Sequence, residues 1–322
     1  MRRIAAFVLP FVSALALAVP AAARELPRDI TLLRGTFVPN AQPDGNSTLL
    51  AAPEGLIAID TGRHAAHTDR LLEAARKQRQ PIVAVINTHW HLDHIGGNGR
   101  LRDAFPAVTI YASGALGAAR EGFLAQYRTQ LDDAIAHSAD AAQIQAWRDE
   151  IALIDAAPRL APDRVIAQTQ TLRIAGRTLQ LHLAAPSVTA GDVWVYDPAE
   201  HVLIAGDLVT LPAPLFDTAC PAQWQASLAE LDRVDFTRLI PGHGPPLDHA
   251  QFRIYRRAYD ALLACTAGAA EKNACIDGWV ERAKTLLPES ERAFARRLLD
   301  YYIDNSLRAP AQKTAALCHA ST

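Results

Sequence analysis

Apolar residues come in short runs along the first third of the chain, each closed by a turn signal. "DITLLRGTFV", "STLLAAP" and "GLIAIDTG" predict strands, the last ending at Asp60. "HTDRLLEAARKQ" instead places Leu71, Leu72 and Ala75 on one helical side, and Pro81 closes that helix. "IVAVINT" is continuously apolar, as expected of a strand covered on both faces, and "VTIYAS" predicts another strand. From about residue 115 to 160 the pattern is helical, which predicts an insertion. Strand signals return in "TLRIAG", "TLQLHLAA", "DVWVYD" and "HVLIAGD"; a helix starts near Pro221, and "RLIPGHG" forms a last short strand and turn. From about 251 to 322 the chain reads as a helical extension. Two blocks of strands followed by a helix, with a helical tail, predict an α/β layered fold whose loops at strand ends carry the chemistry.

Composition adds compartment and partner. The 322 residues carry a net charge of −2, and no long basic run marks the chain for nucleic acid. Residues 1–23 join Arg2 and Arg3 to an apolar stretch that closes on Ala21-Ala22-Ala23. That layout predicts a signal peptide cleaved after about Ala23, and hence a periplasmic or secreted protein with no membrane span after cleavage. In an oxidising compartment Cys220, Cys265, Cys275 and Cys318 predict one or two disulfides, with the pairing left open.

The densest chemistry is "THWHLDHIGG", which sets His89, His91, Asp93 and His94 within six positions. With no cysteine nearby, imidazole and carboxylate point to zinc. His89 and His91 share a side of an extended segment, whereas on a helix they would diverge by roughly 200°. Asp93 and His94 follow where the chain turns, and Gly96 and Gly97 permit a tight turn into a helix. Asp207 in "LIAGDLV" and His243 in "LIPGHGPP" also stand at strand ends and are candidate ligands.

Taken together, His89-X-His91-X-Asp93-His94, Gly206-Asp207 and Pro241-Gly242-His243 resemble the metallo-β-lactamase superfamily over about residues 30–250. The resemblance implies a four-layer αββα sandwich with metals in a groove at one edge. It assigns His89 and His91 to a first metal, Asp93, His94 and His243 to a second, and Asp207 to a bridge. Asp60 is a candidate partner behind a ligand histidine. The family pattern H-T-x-G-D contributes one more histidine to the first metal. Here Thr189, Gly191 and Asp192 match, but Val188 stands at the ligand position. One zinc tightly bound at the second position and a weakened first position follow. A ferrous facial triad is set aside, because iron-dependent members use the same missing histidine. His64 and His67 are further candidates near the groove, and His182 reads as a residue of its strand.

The expected activity is zinc-dependent hydrolysis of a small ester, thioester, lactone or amide-like bond. Asp93 would orient water and move a proton, and His89 and His91 would serve as bases if unmetallated. Leu211, Leu215, Phe216 and Trp224 are expected to line one wall. The basic tail segment around Arg253, Tyr255, Arg256, Arg257 and Tyr259 reads as a solvated helix face. The competing expectation, motivated by Val188, is a non-catalytic metal- or ligand-binding accessory protein of an exported system, such as a quinoprotein dehydrogenase.

Overall fold

Two sheets stacked face to face organise the computed structural model, which describes residues 25–37 and 42–318. The expected signal segment, 1–23, lies outside the described residues. The first sheet runs in chain order from β1 (Ile30–Leu33) through β2 (Ser47–Ala52), β3 (Gly55–Ile59), β4 (Ile82–Ile86) and β5 (Thr109–Ala112) to β6 (Arg164–Val165). β1, β2 and β3 pair antiparallel, and β3 to β6 pair parallel. The second sheet contains β7 (Gln170–Ile174), β8 (Arg177–Ala184), β9 (Asp192–Asp197), β10 (Val202–Thr210) and β11 (Arg238–His243). Its pairs are antiparallel except β10 with β11.

The layers follow from which side of each strand is apolar. Ile57, Ile59, Ala84 and Ile86 meet Leu179, Leu181, Val193, Val195 and Ile204 between the sheets. Leu56, Ala58 and Val85 face outward onto Leu71, Leu72 and Ala75 of α1 (Ala65–Gln78) and Leu101 of α3 (Asn98–Ala104), with the one-turn α2 (Leu92–Ile95) between them. β4 is therefore covered on both faces, as its unbroken apolar run requires. The helical insertion consists of α4 (Leu116–Glu121), α5 (Phe123–His137), α6 (Ala141–Asp155) and α7 (Ala157–Leu160). Leu116, Leu124, Leu131, Ile154 and Leu160 pack onto Trp90, Leu92 and Ile95, directly over the histidine-rich loop.

The outer face of the second sheet is closed by α8 (Pro221–Leu231) and the tail helices α9 (His249–Ala267), α10 (Lys272–Arg282) and α11 (Glu289–Tyr302), followed by a π-helical turn (Ile303–Leu307) and α12 (Ala311–Cys318). A reciprocal capping box, Asp248 with Gln251, starts α9. Tyr255 and Tyr259 are buried, and Arg253 and Arg256 pair with Asp232, so this helix is an integral layer. Phe216 and Trp224 lie in the same core with Leu211, and Trp224 donates from Nε1 to the Leu208 carbonyl at 3.0 Å. This corrects the expectation that they line a groove wall: large apolar rings are claimed by the interface between sheet and helices, where their burial is complete. Leu215 is partly buried against that core. Among the described residues no helix is long and apolar enough to cross a membrane.

Both pairs of cysteines are bonded: Cys220 at the start of α8 with Cys318 of α12, and Cys265 of α9 with Cys275 of α10. The first bridge spans 98 residues and the second 10. Chain-entropy arguments assign about 4.7 kcal/mol to the first and about 2.7 kcal/mol to the second. Urea unfolding of Cys220→Ser/Cys318→Ser and Cys265→Ser/Cys275→Ser is expected to show the larger loss in the first double variant.

Candidate metal centre

The parallel pairs β3–β4 and β10–β11 end at the same edge of the sandwich, and each ending delivers polar side chains there. Asp60 follows β3, His89 and His91 follow β4, Asp93 and His94 occupy α2, Asp207 sits in β10 and His243 closes β11. The β10–β11 register breaks around Gly206, whose φ of 54° bends the strand ahead of Asp207. Asp207 then lies so close over Gly242 that any Cβ there would collide with its carboxylate. The two sheets are tied at this edge as well. Asn46 Nδ2 donates to the carbonyls of Pro241 (2.8 Å) and Gly244 (2.9 Å), and the Val193 amide donates to the Thr88 carbonyl (2.6 Å).

His89, Asp93, His94, Asp207 and His243 are all buried. Nε2 of His89, His94 and His243 and both carboxylate oxygens of Asp207 have no hydrogen-bond partner. Buried polar atoms left so are costly unless something else meets them. Asp93 and Asp207 each approach both His94 and His243 closely. His94 Nε2 is 3.1 Å from Asp207 Oδ1 and 3.6 Å from Asp93 Oδ2; His243 Nε2 is 3.1 Å from Asp93 Oδ2 and 3.5 Å from Asp207 Oδ1. A tetrahedral zinc with bonds of about 2.05 Å has ligand–ligand edges of about 3.3 Å. The residues present therefore fit a small divalent cation.

The neighbouring hydroxyls fix which nitrogen faces inward. Thr88 Oγ1 donates its one proton to Asp60 Oδ2 at 2.7 Å, so it accepts from His89 Nδ1 at 3.0 Å and leaves a lone pair on Nε2. Asp60 Oδ2 also accepts from His94 Nδ1 at 2.8 Å, which turns Nε2 of that ring toward Asp207. Thr218 Oγ1 donates to the Val188 carbonyl (2.9 Å) and accepts from His91 Nε2 (2.9 Å). His91 thus keeps its lone pair on Nδ1, with its ring 4.6 Å from that of His89.

A first position is thinner. His89 Nε2 stands 3.7 Å from Asp207 Oδ2, and His89, His94 and Asp207 form one group of potential ligands while Asp93, His94 and His243 form another. His91 is in neither group. Val188 is fully buried within the core under the outer helices. His64 pairs with Asp44 at 3.0 Å, His67 Nε2 with Ser47 Oγ at 2.9 Å, and His182 stacks on Trp194 at 3.7 Å. None of these three joins a ligand group among the described residues.

Electrostatics in the cation-free state follow from the crowding. Burial works against a charged His94, yet Asp207, Asp60 and Asp93 outweigh it and hold its pKa well above the usual imidazole range. Burial likewise opposes ionised Asp93 and Asp207, but the surrounding histidines, with Arg63 for Asp93, keep both low. His89 and His91 are pushed down by burial and stay neutral. Asp192, buried behind the Val188 turn, is raised to about 7 by burial against the two hydrogen bonds it accepts from Thr189.

Sequence reasoning missed Thr88, Thr218, Arg63 and two aromatic pairs. Phe37 lies 5.1 Å from the His243 ring and 5.1 Å from Phe294 of α11; Trp90 lies 4.6 Å from His91 and 5.5 Å from Phe123. Thr88 and Arg63 directly adjoin the motif residues His89 and Gly62. Nothing in the sequence connects Thr218 to His91 across 127 positions.

The model of the metallo-β-lactamase superfamily matches residues 42–243, a span that holds every one of these candidate ligands. The chain belongs to that superfamily. Its relatives include a linear primary-alkylsulfatase of a Pseudomonas species, 26% identical over 79% of this chain and 52% of the relative. Another is the α subunit of a 2,4-dinitroanisole O-demethylase of a Nocardioides species, 23% identical over 76% of this chain and 66% of that one. A hydroxyacylglutathione hydrolase of Gloeobacter violaceus is 46% identical over a short stretch, 13% of this chain and 17% of its own. This chain thus spans between about half and two thirds of the first two relatives. Among solved structures, a metallo-β-lactamase from Pontibacter korlensis superposes with a TM-score of 0.55 at 20% identity, covering 74% of this chain and 97% of that one. The mono-zinc form of FIM-1 from Pseudomonas aeruginosa superposes with a TM-score of 0.52 at 15% identity, covering 73% and 93%. The metallo-β-lactamase fold read from the motifs is therefore the fold of this chain.

A cation taken up through His94 Nε2 would displace a proton from that ring, whose pKa the neighbouring carboxylates hold high. Apparent metal affinity is therefore expected to rise with pH from the usual imidazole range upward, by at most tenfold per pH unit, until His94 is neutral. Titration calorimetry in buffers of different ionisation enthalpy checks this: proton release on uptake at pH 7 is the expected result.

Proposed function

We propose that this superfamily member is an exported, zinc-dependent hydrolase that works with one tightly held metal. The carrying observation is the buried cluster of Asp93, His94, Asp207 and His243, in which each histidine Nε2 stands 3.1 to 3.6 Å from a carboxylate oxygen of both aspartates. Zinc bound there would supply Lewis-acid polarisation of the substrate and acidify water near neutral pH.

The chain's own residues divide the rest of the work. Asp207 and Asp93 supply negative charge that keeps a dication in place, and Asp60 fixes the ring of His94. His91, held by Thr218 as the Nε2–H tautomer and neutral at pH 7, has a basic Nδ1 to orient water or take a proton. Asp93 is engaged as a ligand, which favours His91 over Asp93 for proton movement. The aromatic pairs Phe37–Phe294, beside His243, and Trp90–Phe123, beside His91, suit a small substrate with apolar groups next to the scissile bond. The relatives named as an alkylsulfatase and a hydroxyacylglutathione hydrolase support a small ester, thioester, lactone or amide-like compound as the substrate class. Export is supported by the N-terminal pattern and by the two disulfides.

Val188 favours a second reading, a metal-binding accessory protein without turnover, because the first position lacks its third imidazole. The test is metal content beside activity. Chelator-stripped protein is given one equivalent of zinc and assayed on chromogenic acyl esters, a thioester, a lactone, a β-lactam and an alkyl sulfate. Zinc-dependent turnover on at least one substrate, lost by roughly 100-fold or more in His94→Ala and Asp207→Asn, is expected. Stoichiometric zinc without turnover supports the accessory reading, and no zinc uptake defeats both. Val188→His is expected to raise the zinc content toward two per chain; unchanged stoichiometry would show that position 188 does not face the first metal.

A further inference from the structure

Arg63 follows β3 in the chain and belongs to neither ligand group, yet its guanidinium is held at three corners. Nε donates to the Pro43 carbonyl at 3.2 Å, Nη1 forms a tight ion pair with Glu150 of α6, and Nη2 stands 3.5 Å from Asp93 Oδ1. The three side chains are 10%, 8% and 7% exposed. Charges this deep persist only when paired with good geometry. The backbone is fixed too. The Arg63 amide donates to Asp44 Oδ1 at 2.8 Å, and Gly96 lies so near that a Cβ there would come within 2.9 Å of the Arg63 α-carbon. Tyr127 of α5 feels the same carboxylate: burial and the Glu150 charge raise its phenol to about 12, which places a second helix of the insertion beside this pair.

Asp93 thereby divides its oxygens. Oδ1 faces Arg63, and Oδ2 faces Nε2 of His243 and His94. A carboxylate free to rotate would exchange the two, or chelate a cation through both, and loosen the four-ligand geometry. We propose that Arg63 is a positioning residue of the metal centre. Braced by Glu150 and Tyr127, it locks Asp93 with Oδ2 on the cation side, so that the helical insertion sets metal affinity and coordination geometry. This rests on the metal reading above and gives the insertion a task beyond covering Trp90 and Ile95.

The test uses the full mature chain as wild type, Arg63→Ala, Arg63→Lys, Glu150→Gln and Tyr127→Phe. Each is stripped of metal and checked by near-ultraviolet circular dichroism. Zinc affinity is then measured by competition with a chromophoric chelator, and geometry by the visible spectrum of the cobalt(II) form. Arg63→Ala is expected to weaken zinc roughly 10- to 100-fold and to shift the cobalt bands. Arg63→Lys restores part of the affinity, since it returns the charge without the fork. Glu150→Gln weakens zinc in the same direction by a smaller factor, although it touches no ligand; it and Arg63→Lys decide the matter if Arg63→Ala does not fold. Wild-type affinity and an unchanged cobalt spectrum in folded Arg63 and Glu150 variants overturn the proposal, as does a loss confined to metal-free stability. A wild-type chain that binds no cation overturns the metal reading first.

Discussion

At the edge where the two sheets meet, Asp60, Asp93 and Asp207 bring three buried carboxylates together. His89, His94 and His243 add unsatisfied nitrogens to the same cluster. In the cation-free chain a proton on His94 offsets part of that charge. The arrangement is costly to hold together without a further positive charge, and folding concentrates it at one point. The strand endings, the glycine at 242 and the tie from Asn46 to the second sheet all serve to bring these groups within reach of one ion.

Placing the ligands is only half of the construction; the other half is deciding which atom of each points inward. Single-proton hydroxyls settle two histidines, Thr88 for His89 and Thr218 for His91, and the Asp60 carboxylate settles His94. Arg63 is the corresponding device on Asp93. These contacts join four separate parts of the chain: the turn after β3, the loop after β4, the segment between β10 and α8, and the insertion. The site therefore depends on elements that lie outside its sequence motif, the insertion above all.

The strands, α1, the insertion and the tail were legible because each carries its own periodicity: Leu71, Leu72 and Ala75 along one helix side, or the unbroken "IVAVI" of β4. The candidate ligands were legible because His89, His91, Asp93 and His94 are crowded, and because Asp207 and His243 each follow an apolar strand and a glycine. What stayed hidden depends on contacts distant in sequence. Thr218 meets His91, and Glu150 meets Arg63, through packing that no local pattern encodes. The aromatic residues after Asp207 misled for a related reason: Phe216 and Trp224 are as apolar as groove-lining residues are, and only tertiary packing shows that the outer helices bury them.

Val188 separates this chain from a symmetric two-metal site. Its carbonyl accepts from Thr218, and on the reading proposed above the first position lacks an imidazole there while Asp93, His94, Asp207 and His243 serve the second. The most direct test is anomalous diffraction at the zinc edge from crystals of the protein carrying one zinc equivalent. One strong peak within bonding distance of Asp93 Oδ2, His94 Nε2, Asp207 Oδ1 and His243 Nε2 is expected, with little density beside His89 and His91. No peak among those four atoms, or a stronger one beside His89 and His91, would contradict it.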